Sequence, residues 1–280
     1  MIMVTGATGN IGREVVRGLL EAGEQVAAVT RDPTSAALPG GALLVPGDPS
    51  QPETLGPAVR DVEALLLIPR AVGTATAELL SLARERGVER VVLVSATTVT
   101  HGGGDERFAN ALRAAEDAVR ASGLRWTILN CADFSLNAMV WASQIRTGDA
   151  VRGAFGDAVT SPIHEHDLSE VAVRALTEAG HAGRAHLLTG PQPLSQRDRV
   201  RLIGSAIGRD LVWEETSSEE VRGAMIGAGL PEEAPDRLLG YLAGHVRRPG
   251  PTSTAVGEIL ARPPLTFAEW AAHHARAFRG

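Results

Sequence analysis

Apolar residues in the first two-thirds of the chain fall in short, nearly unbroken runs, separated by stretches with helical spacing. The runs at residues 1–5, 25–30, 42–46, 64–68, 90–95 and 125–130 are rich in Val, Ile, Leu and Ala. That is the pattern of strands covered on both faces. Residues 10–22, 74–87 and 106–122 repeat apolar positions every three or four residues, which predicts amphipathic helices. Gly23, Gly87 and Gly123 follow these helices where a left-handed cap is favourable. The segments EAGEQV, RERGVERV and RASGLRW thus repeat one helix–glycine–strand junction. This alternation predicts βαβ units and an α/β fold built on a doubly wound parallel sheet.

Beyond residue 130 the rhythm loosens. Residues 147–162 are rich in turn formers, and 167–178 predict a helix with Asp167 as its N-cap. Short strands are expected at 185–189 and 211–215, with a helix at 195–207 between them. Residues 217–280 read as mostly helical, interrupted at 248–252. The division this suggests is a sheet domain over residues 1–150 and a smaller, mostly helical lobe over 151–280, interleaved with the sheet edge.

The most specific segment is the first βα turn, MIMVTGATGNIGREVV. Gly6, Gly9 and Gly12 form G-x-x-G-x-x-G directly after a strand and at the opening of a helix. Gly6 permits the tight turn, Gly9 lets backbone approach a pyrophosphate, and Gly12 lets the helix sit close to the sheet. The helix N-terminus, around Asn10, Ile11 and Gly12, then offers unpaired N–H groups to phosphate oxygens. Thr8 and Asn10 can add side-chain hydrogen bonds. A dinucleotide is the expected ligand. The second strand ends in Thr30 and Arg31 where an NAD binder carries an acidic residue. Arg31 suits a 2′-phosphate, so NADPH is expected over NADH, although Asp32 follows directly. By the rule that ligands sit at the carboxyl ends of parallel strands, Asp48, Ile68, Pro69 and Ser95 are further cofactor candidates.

The segments TGATGNIG, TRDP, GDPSQPETL, ARERGVERVVLVSA, EDAVRASGLRWTIL and SPIHEHDLSEVAVRAL occur in this order. Together they resemble the NmrA-like group of atypical short-chain dehydrogenases/reductases, which includes quinone reductases and redox-sensing regulators. The resemblance is strong from residue 1 to about 189 and weaker through LTFAEWAAHHARAF. It implies an NAD(P)-binding Rossmann domain with a small C-terminal substrate lobe, and a cofactor lying against Gly6–Gly12, Arg31, Asp48, Ile68–Pro69 and Ser95. The chain departs from the larger superfamily where Tyr-x-x-x-Lys is usual, because Leu112 and Glu116 occupy those places. The family's usual LRP after the sixth strand reads LNC, with Asn130 and Cys131.

Composition narrows the chemistry further. All 27 basic residues of this 280-residue chain are arginine, so lysine Schiff bases and lysine general bases are excluded. The sole tyrosine is Tyr241, far from the usual motif. A formal charge of −6 with no basic run argues against nucleic acid, and no apolar run is long enough to span a membrane. A single cysteine fits a reducing, cytoplasmic setting.

Thr97, Asn130, Cys131, Phe134 and His164 are the substrate candidates. Cys131 has no local base to make it a nucleophile. Phe134, Asn137, Met139 and Trp141 either roof a cleft or pack as core. His164 and His166 lack the spacing of a helical metal pair, and no metal is expected. Glu116 is expected on a helix surface beside Arg113 or Arg120, and His273 and His274 near the surface. The HGGGD run at 101–105 reads as a loop beside the site. The reading is an NADPH-dependent oxidoreductase, monomer or homodimer, reducing a small electron-poor acceptor such as a quinone or enone without a Tyr/Lys dyad. A redox-sensing NADP(H)-binding protein and a redox-neutral biosynthetic enzyme are the alternatives.

Overall fold

The computed structural model describes residues 1–101 and 104–279. Gly102 and Gly103 of the HGGGD run lie outside the described residues, as does Gly280. In chain order the elements begin β1 (Ile2–Val4), α1 (Asn10–Glu21), β2 (Val26–Thr30), β3 (Leu43–Pro46), β4 (Ala64–Leu67), α2 (Pro69–Val72), α3 (Thr76–Glu85) and β5 (Arg90–Ala96). They continue with α4 (Thr98–His101), α5 (Glu106–Ala121), β6 (Arg125–Cys131), α6 (Ala142–Thr147), β7 (Ala150–Gly153), β8 (Val159–Thr160), α7 (Glu165–Thr177) and β9 (Arg184–Leu188). The remainder is β10 (Leu194–Ser195), α8 (Gln196–Ile207), β11 (Val212–Glu215), α9 (Ser218–Gly227), α10 (Glu233–Gly244), α11 (Ala255–Leu260), α12 (Phe267–His273) and α13 (Ala275–Phe278).

Seven strands form the central sheet in the order β3-β2-β1-β4-β5-β6-β9, and β1 to β6 pair in parallel. The order reverses between β1 and β4, as in a Rossmann-type α/β fold. Two compact units result. Unit 1 comprises Met1–Ala96, Asn110–Cys131 and Glu165–Leu187; unit 2 comprises Thr97–Ala109, Ala132–His164 and Leu188–Gly280. The chain therefore crosses between units repeatedly, and α7 belongs to the sheet unit although it lies beyond residue 150.

In unit 1, alternate strand residues Met3, Ala27, Val29, Leu65, Leu67, Val91 and Leu93 pack with Leu79, Leu80 and Ala83 of α3 and Ala115 and Val119 of α5. The intervening residues Val4, Ala28, Leu66 and Val92 are equally buried, on the face where α1 and α7 pack together. Both faces are covered, which is why the strands read as unbroken apolar runs. Arg90 at the start of β5 donates to the carbonyls of Ala175, Leu176 and Glu178, closing the C-terminal end of α7. That helix starts two residues earlier than expected: Asp167 is a buried residue of its first turn and not its N-cap.

Unit 2 has its own core, in which Trp141, Ile145, Val151, Val200, Ile203, Phe267, Trp270 and Phe278 pack together. β7 pairs in parallel with β11, and β8 pairs antiparallel with β10. Neither β7 nor β8 is foreshadowed in the turn-rich 147–162 stretch, because partners more than 30 residues away create these short strands. Ser195 is the N-cap of α8 and forms a capping box with Asp198.

Candidate functional site

At the end of β1, Thr5 turns its side chain back into the sheet. Its hydroxyl donates to Leu66 O (3.0 Å) and accepts from Ile68 N (2.9 Å), tying the first βα turn to the end of β4. Gly6 then adopts φ +61°, a conformation that L side chains rarely take. The Gly9 N–H donates to Gly6 O at 3.0 Å, and Gly9 is the N-cap of α1 with no side-chain cap. At Gly12 any Cβ would overlap the Gly6 carbonyl, so only glycine lets α1 start this close to the strand. The result is a bare first helical turn, Asn10, Ile11 and Gly12, whose backbone N–H groups have no intrahelical acceptor.

Beside this turn lies a cavity of about 230 Å³ within unit 1. Gly6, Thr8, Arg31, Asp48, Ser50 and Arg70 are among the residues that line it. Two guanidinium groups thus share the cavity with a single carboxylate. Among the described residues neither Arg31 nor Arg70 makes a hydrogen bond or ion pair. The one carboxylate is partly occupied: Asp48 accepts from Ser50 Oγ (2.7 Å) and Ser50 N (2.9 Å), which with the nearby Arg31 charge hold its carboxyl below the usual range.

The neighbouring acid is closed off more completely. Asp32 accepts from Thr34 N (2.9 Å), Thr34 Oγ1 (2.5 Å) and Ser35 Oγ (2.7 Å). The Thr34 hydroxyl is the largest influence, Ser35 the next, and the carboxyl is lowered to about 2. Asp32 is spent on its own turn and does not line the cavity.

Of the residues singled out in the sequence, Gly6, Thr8, Arg31 and Asp48 line the cavity, and Gly9, Asn10, Ile11 and Gly12 form the helix start next to it. Ile68 caps α2 and Pro69 opens it; Ile68 touches the position a Gly6 Cβ would take. Ser95 is buried at the end of β5, and its hydroxyl donates to Glu116 Oε1 at 2.7 Å. Glu116 is therefore not a surface residue. It is 1% exposed, and although it pairs with Arg120 as the helical spacing predicts, it also bridges α5 to β5. Arg113 bonds Asn110 instead.

The substrate candidates are divided between the units. In unit 1, Asn130 is buried with its Oδ1 lacking a partner among the described residues. Cys131 is fully buried, and burial pushes its thiol far above the usual range, which removes it as a nucleophile. In unit 2, Phe134 bridges to Ile163, and the buried His164 lies with Nε2 3.2 Å from Nδ1 of the exposed His273. His274 is half-buried against the Trp270 ring. Trp141 belongs to the unit 2 core and meets Trp213 edge-on, and Asn137 donates to Asp133 at 2.7 Å. Thr97, also in unit 2, is buried directly after β5.

Sequence reasoning missed Arg70 and Ser50. Arg70 follows Pro69 at the carboxyl end of β4, so the strand-end rule that flagged Ile68 and Pro69 stops one residue short of it. Among the described residues no group of three His, Cys, Asp or Glu side chains could hold a metal ion, and no helix is long and apolar enough to cross a membrane.

Comparison with known proteins agrees with this geometry. Residues 6–179 match the model of a family described as NAD(P)H-binding. The chain is 32% identical over 280 residues to a (4-alkanoyl-5-oxo-2,5-dihydrofuran-3-yl)methyl phosphate reductase of Streptomyces griseus subsp. griseus, covering 99% of each chain. It is also 32% identical to the NAD(P)H azoreductase of Xenophilus azovorans, again over 99% of each. Among solved structures, an NADPH-dependent quinone oxidoreductase from Escherichia coli superposes with a TM-score of 0.83 at 25% identity, over 98% of this chain and 99% of that one. With its glycine turn, its bare helix start and these full-length similarities, the chain belongs to the NAD(P)H-binding family and is an oxidoreductase of it.

Proposed function

We propose that this chain uses NADPH to reduce a small, electron-poor acceptor of the quinone or enone type. The observation that carries the cofactor choice is the cavity where Arg31 and Arg70 make no hydrogen bond or ion pair among the described residues while Asp32 is closed on Thr34 and Ser35. A NAD-type site needs a free carboxylate for the ribose 2′-hydroxyl, and this turn offers none.

In this reading the first-turn N–H groups of α1, with Gly9 and Thr8, hold pyrophosphate oxygens. Arg31 engages the 2′-phosphate through charge-assisted hydrogen bonds. Asp48, fixed by Ser50, accepts from the adenosine portion. Arg70, which lines the same cavity, neutralises pyrophosphate charge and so acts on NADH and NADPH alike. Bound NADPH supplies a hydride with its electron pair, and water supplies the proton that completes the reduced acceptor. A quinone or a doubly activated alkene takes a hydride readily, so a chain without Tyr-x-x-x-Lys can still perform the reduction by positioning. The acceptors in the relatives' names support this choice. The dihydrofuranone of the Streptomyces relative is an alkene conjugated to two carbonyls, and quinone and azo groups are likewise electron-poor.

The test follows NADPH oxidation at 340 nm against a panel of quinones and acyl-butenolides, with NADH in parallel. Saturable turnover, faster with NADPH, is expected. Tight NADPH binding without turnover on the panel would replace this reading with a redox-sensing role.

A further inference from the structure

Within unit 1, α1 begins differently from the other long helices of the chain. Among the described residues, each of the other helices of ten residues or more carries an Asp or Glu in its first turn. Such acids meet the partial positive charge that aligned peptide dipoles leave at a helix start. The first turn of α1 is Asn10, Ile11, Gly12 and Arg13, with no acid and one cation. The Gly9 cap has no side chain with which to compensate.

Arg13 is also poorly served by its surroundings. Its backbone N–H is the first in the helix to reach an intrahelical acceptor, Gly9 O at 2.9 Å. Its side chain makes one hydrogen bond among the described residues, from Nη2 to Thr8 O at 3.1 Å, while its buried Nε has no partner there. Glu14, the acid next to it in sequence, is taken by Arg17 at 3.0 Å. The guanidinium therefore sits against a dipole end of its own sign, gives up the hydration of one N–H, and gains one carbonyl. These costs are offset once an anion lies at the turn. A dinucleotide pyrophosphate is the anion that the proposed function puts there.

We propose that Arg13 is a positioning residue of the dinucleotide site. By taking the Thr8 carbonyl it fixes the residue that precedes the Gly9 cap and lines the cavity. A carbonyl oxygen left loose at this turn is able to swing toward phosphate oxygens and repel them. Bonded to a guanidinium it stays engaged, and the turn presents its N–H donors. Arg13 also adds a permanent positive charge beside the bare first turn of α1. It acts through Thr8 and through that charge, since it does not itself line the cavity. The inference rests on the dinucleotide reading of this turn and adds the side chain that holds its shape. Because both dinucleotides share the pyrophosphate, NADPH and NADH benefit alike.

Arg13→Gln removes the charge and keeps a polar side chain of moderate length. Calorimetry should show NADPH and NADH weakened equally, by about five- to twenty-fold, as for the loss of one charge-assisted contribution. The loss should shrink at high salt, where attraction near solvent is screened. With a reducible quinone, KM for NADPH should rise while kcat stays within about two-fold, since the change falls on ground-state binding. Thermal unfolding separates positioning from bracing. Without cofactor the variant should melt no lower than wild type, because a cation leaves the unfavourable end of a dipole. Arg13→Lys keeps the charge and can still donate to a carbonyl, so it should recover most of the affinity. If Arg13→Gln binds both dinucleotides as wild type does, the inference is overturned and the cofactor reading stands. A lower melting temperature without cofactor would overturn it too, by making Arg13 a brace of the fold. So would a loss confined to NADPH, which would put Arg13 at the 2′-phosphate. A wild type that binds neither dinucleotide would overturn the reading of the site and the inference together.

Discussion

Arginine is handled in two opposite ways in this chain. In unit 2, Arg199 is 2% exposed; its Nη1 donates to Asp133 Oδ2 at 2.6 Å and its Nη2 to Thr160 Oγ1. Thr160 Oγ1 in turn donates to Asp133 at 2.9 Å, and Asn137 takes the other carboxylate oxygen. In unit 1, Arg31 and Arg70 stand exposed at a cavity with no such partners among the described residues. A buried charge costs several kcal/mol unless it is paired, so Arg199 is paired from within through both Nη atoms, although its Nε has no partner among the described residues. An exposed charge is at ease in water, so Arg31 and Arg70 are free to take a partner from solution. The same side chain is held inside the protein by an ion pair in one unit and left facing solvent at a cavity in the other.

The sharpest way to break this contrast is at the buried pair. Arg199→Met strands the Asp133 carboxylate and should cost about 3–5 kcal/mol of unfolding free energy in a denaturant titration. Adding Asp133→Leu should recover most of that loss, because a fully apolar pair leaves no unpaired charge. A single variant within about 1 kcal/mol of wild type would show that water reaches the pair.

At the cavity the effects should fall on binding and leave stability alone. Arg31→Ala is expected to weaken NADPH about 10- to 100-fold, roughly 1.4–2.7 kcal/mol, and to leave NADH unchanged by calorimetry. Arg70→Ala should weaken both dinucleotides equally, by about three- to ten-fold, and less at high salt, since an exposed charge is screened. If NADPH alone suffers, Arg70 reads the 2′-phosphate and not the pyrophosphate.

The smallest effect belongs to Asp32. Its folded-state carboxyl, near 2, lies below the ordinary value of about 4. The stability it contributes is therefore present above about pH 4 and lost as pH falls toward 2. Asp32→Asn should lower Tm slightly at pH 6, with the difference vanishing near pH 2, and should leave NADH affinity within two-fold. A marked loss of NADH binding would mean that Asp32 leaves its turn to meet a ribose.

The parts legible in the sequence are those whose physics is local. Gly6, Gly9 and Gly12 announce their turn because a positive φ and the overlap at Gly12 are properties of a few adjacent residues. Arg31 was readable because the end of β2 is a fixed place in the fold, whereas Arg70 was overlooked one residue beyond a flagged strand end. Glu116 was misplaced for a different reason. Helical spacing names its partner Arg120 but not the Ser95 hydroxyl on a strand that closes over it.

By itself, then, the sequence determined the alternating αβ architecture, the glycine turn and the exclusion of lysine chemistry, all consequences of periodicity, short-range sterics and composition. Only the tertiary structure decided that Asp32 is closed off, that Arg70 shares a cavity with Arg31, that β7 and β8 exist, and that Tyr241 returns to Thr97. Each of these depends on where side chains point or on which distant segments meet. Chain separation carries no information about such meetings until packing supplies it.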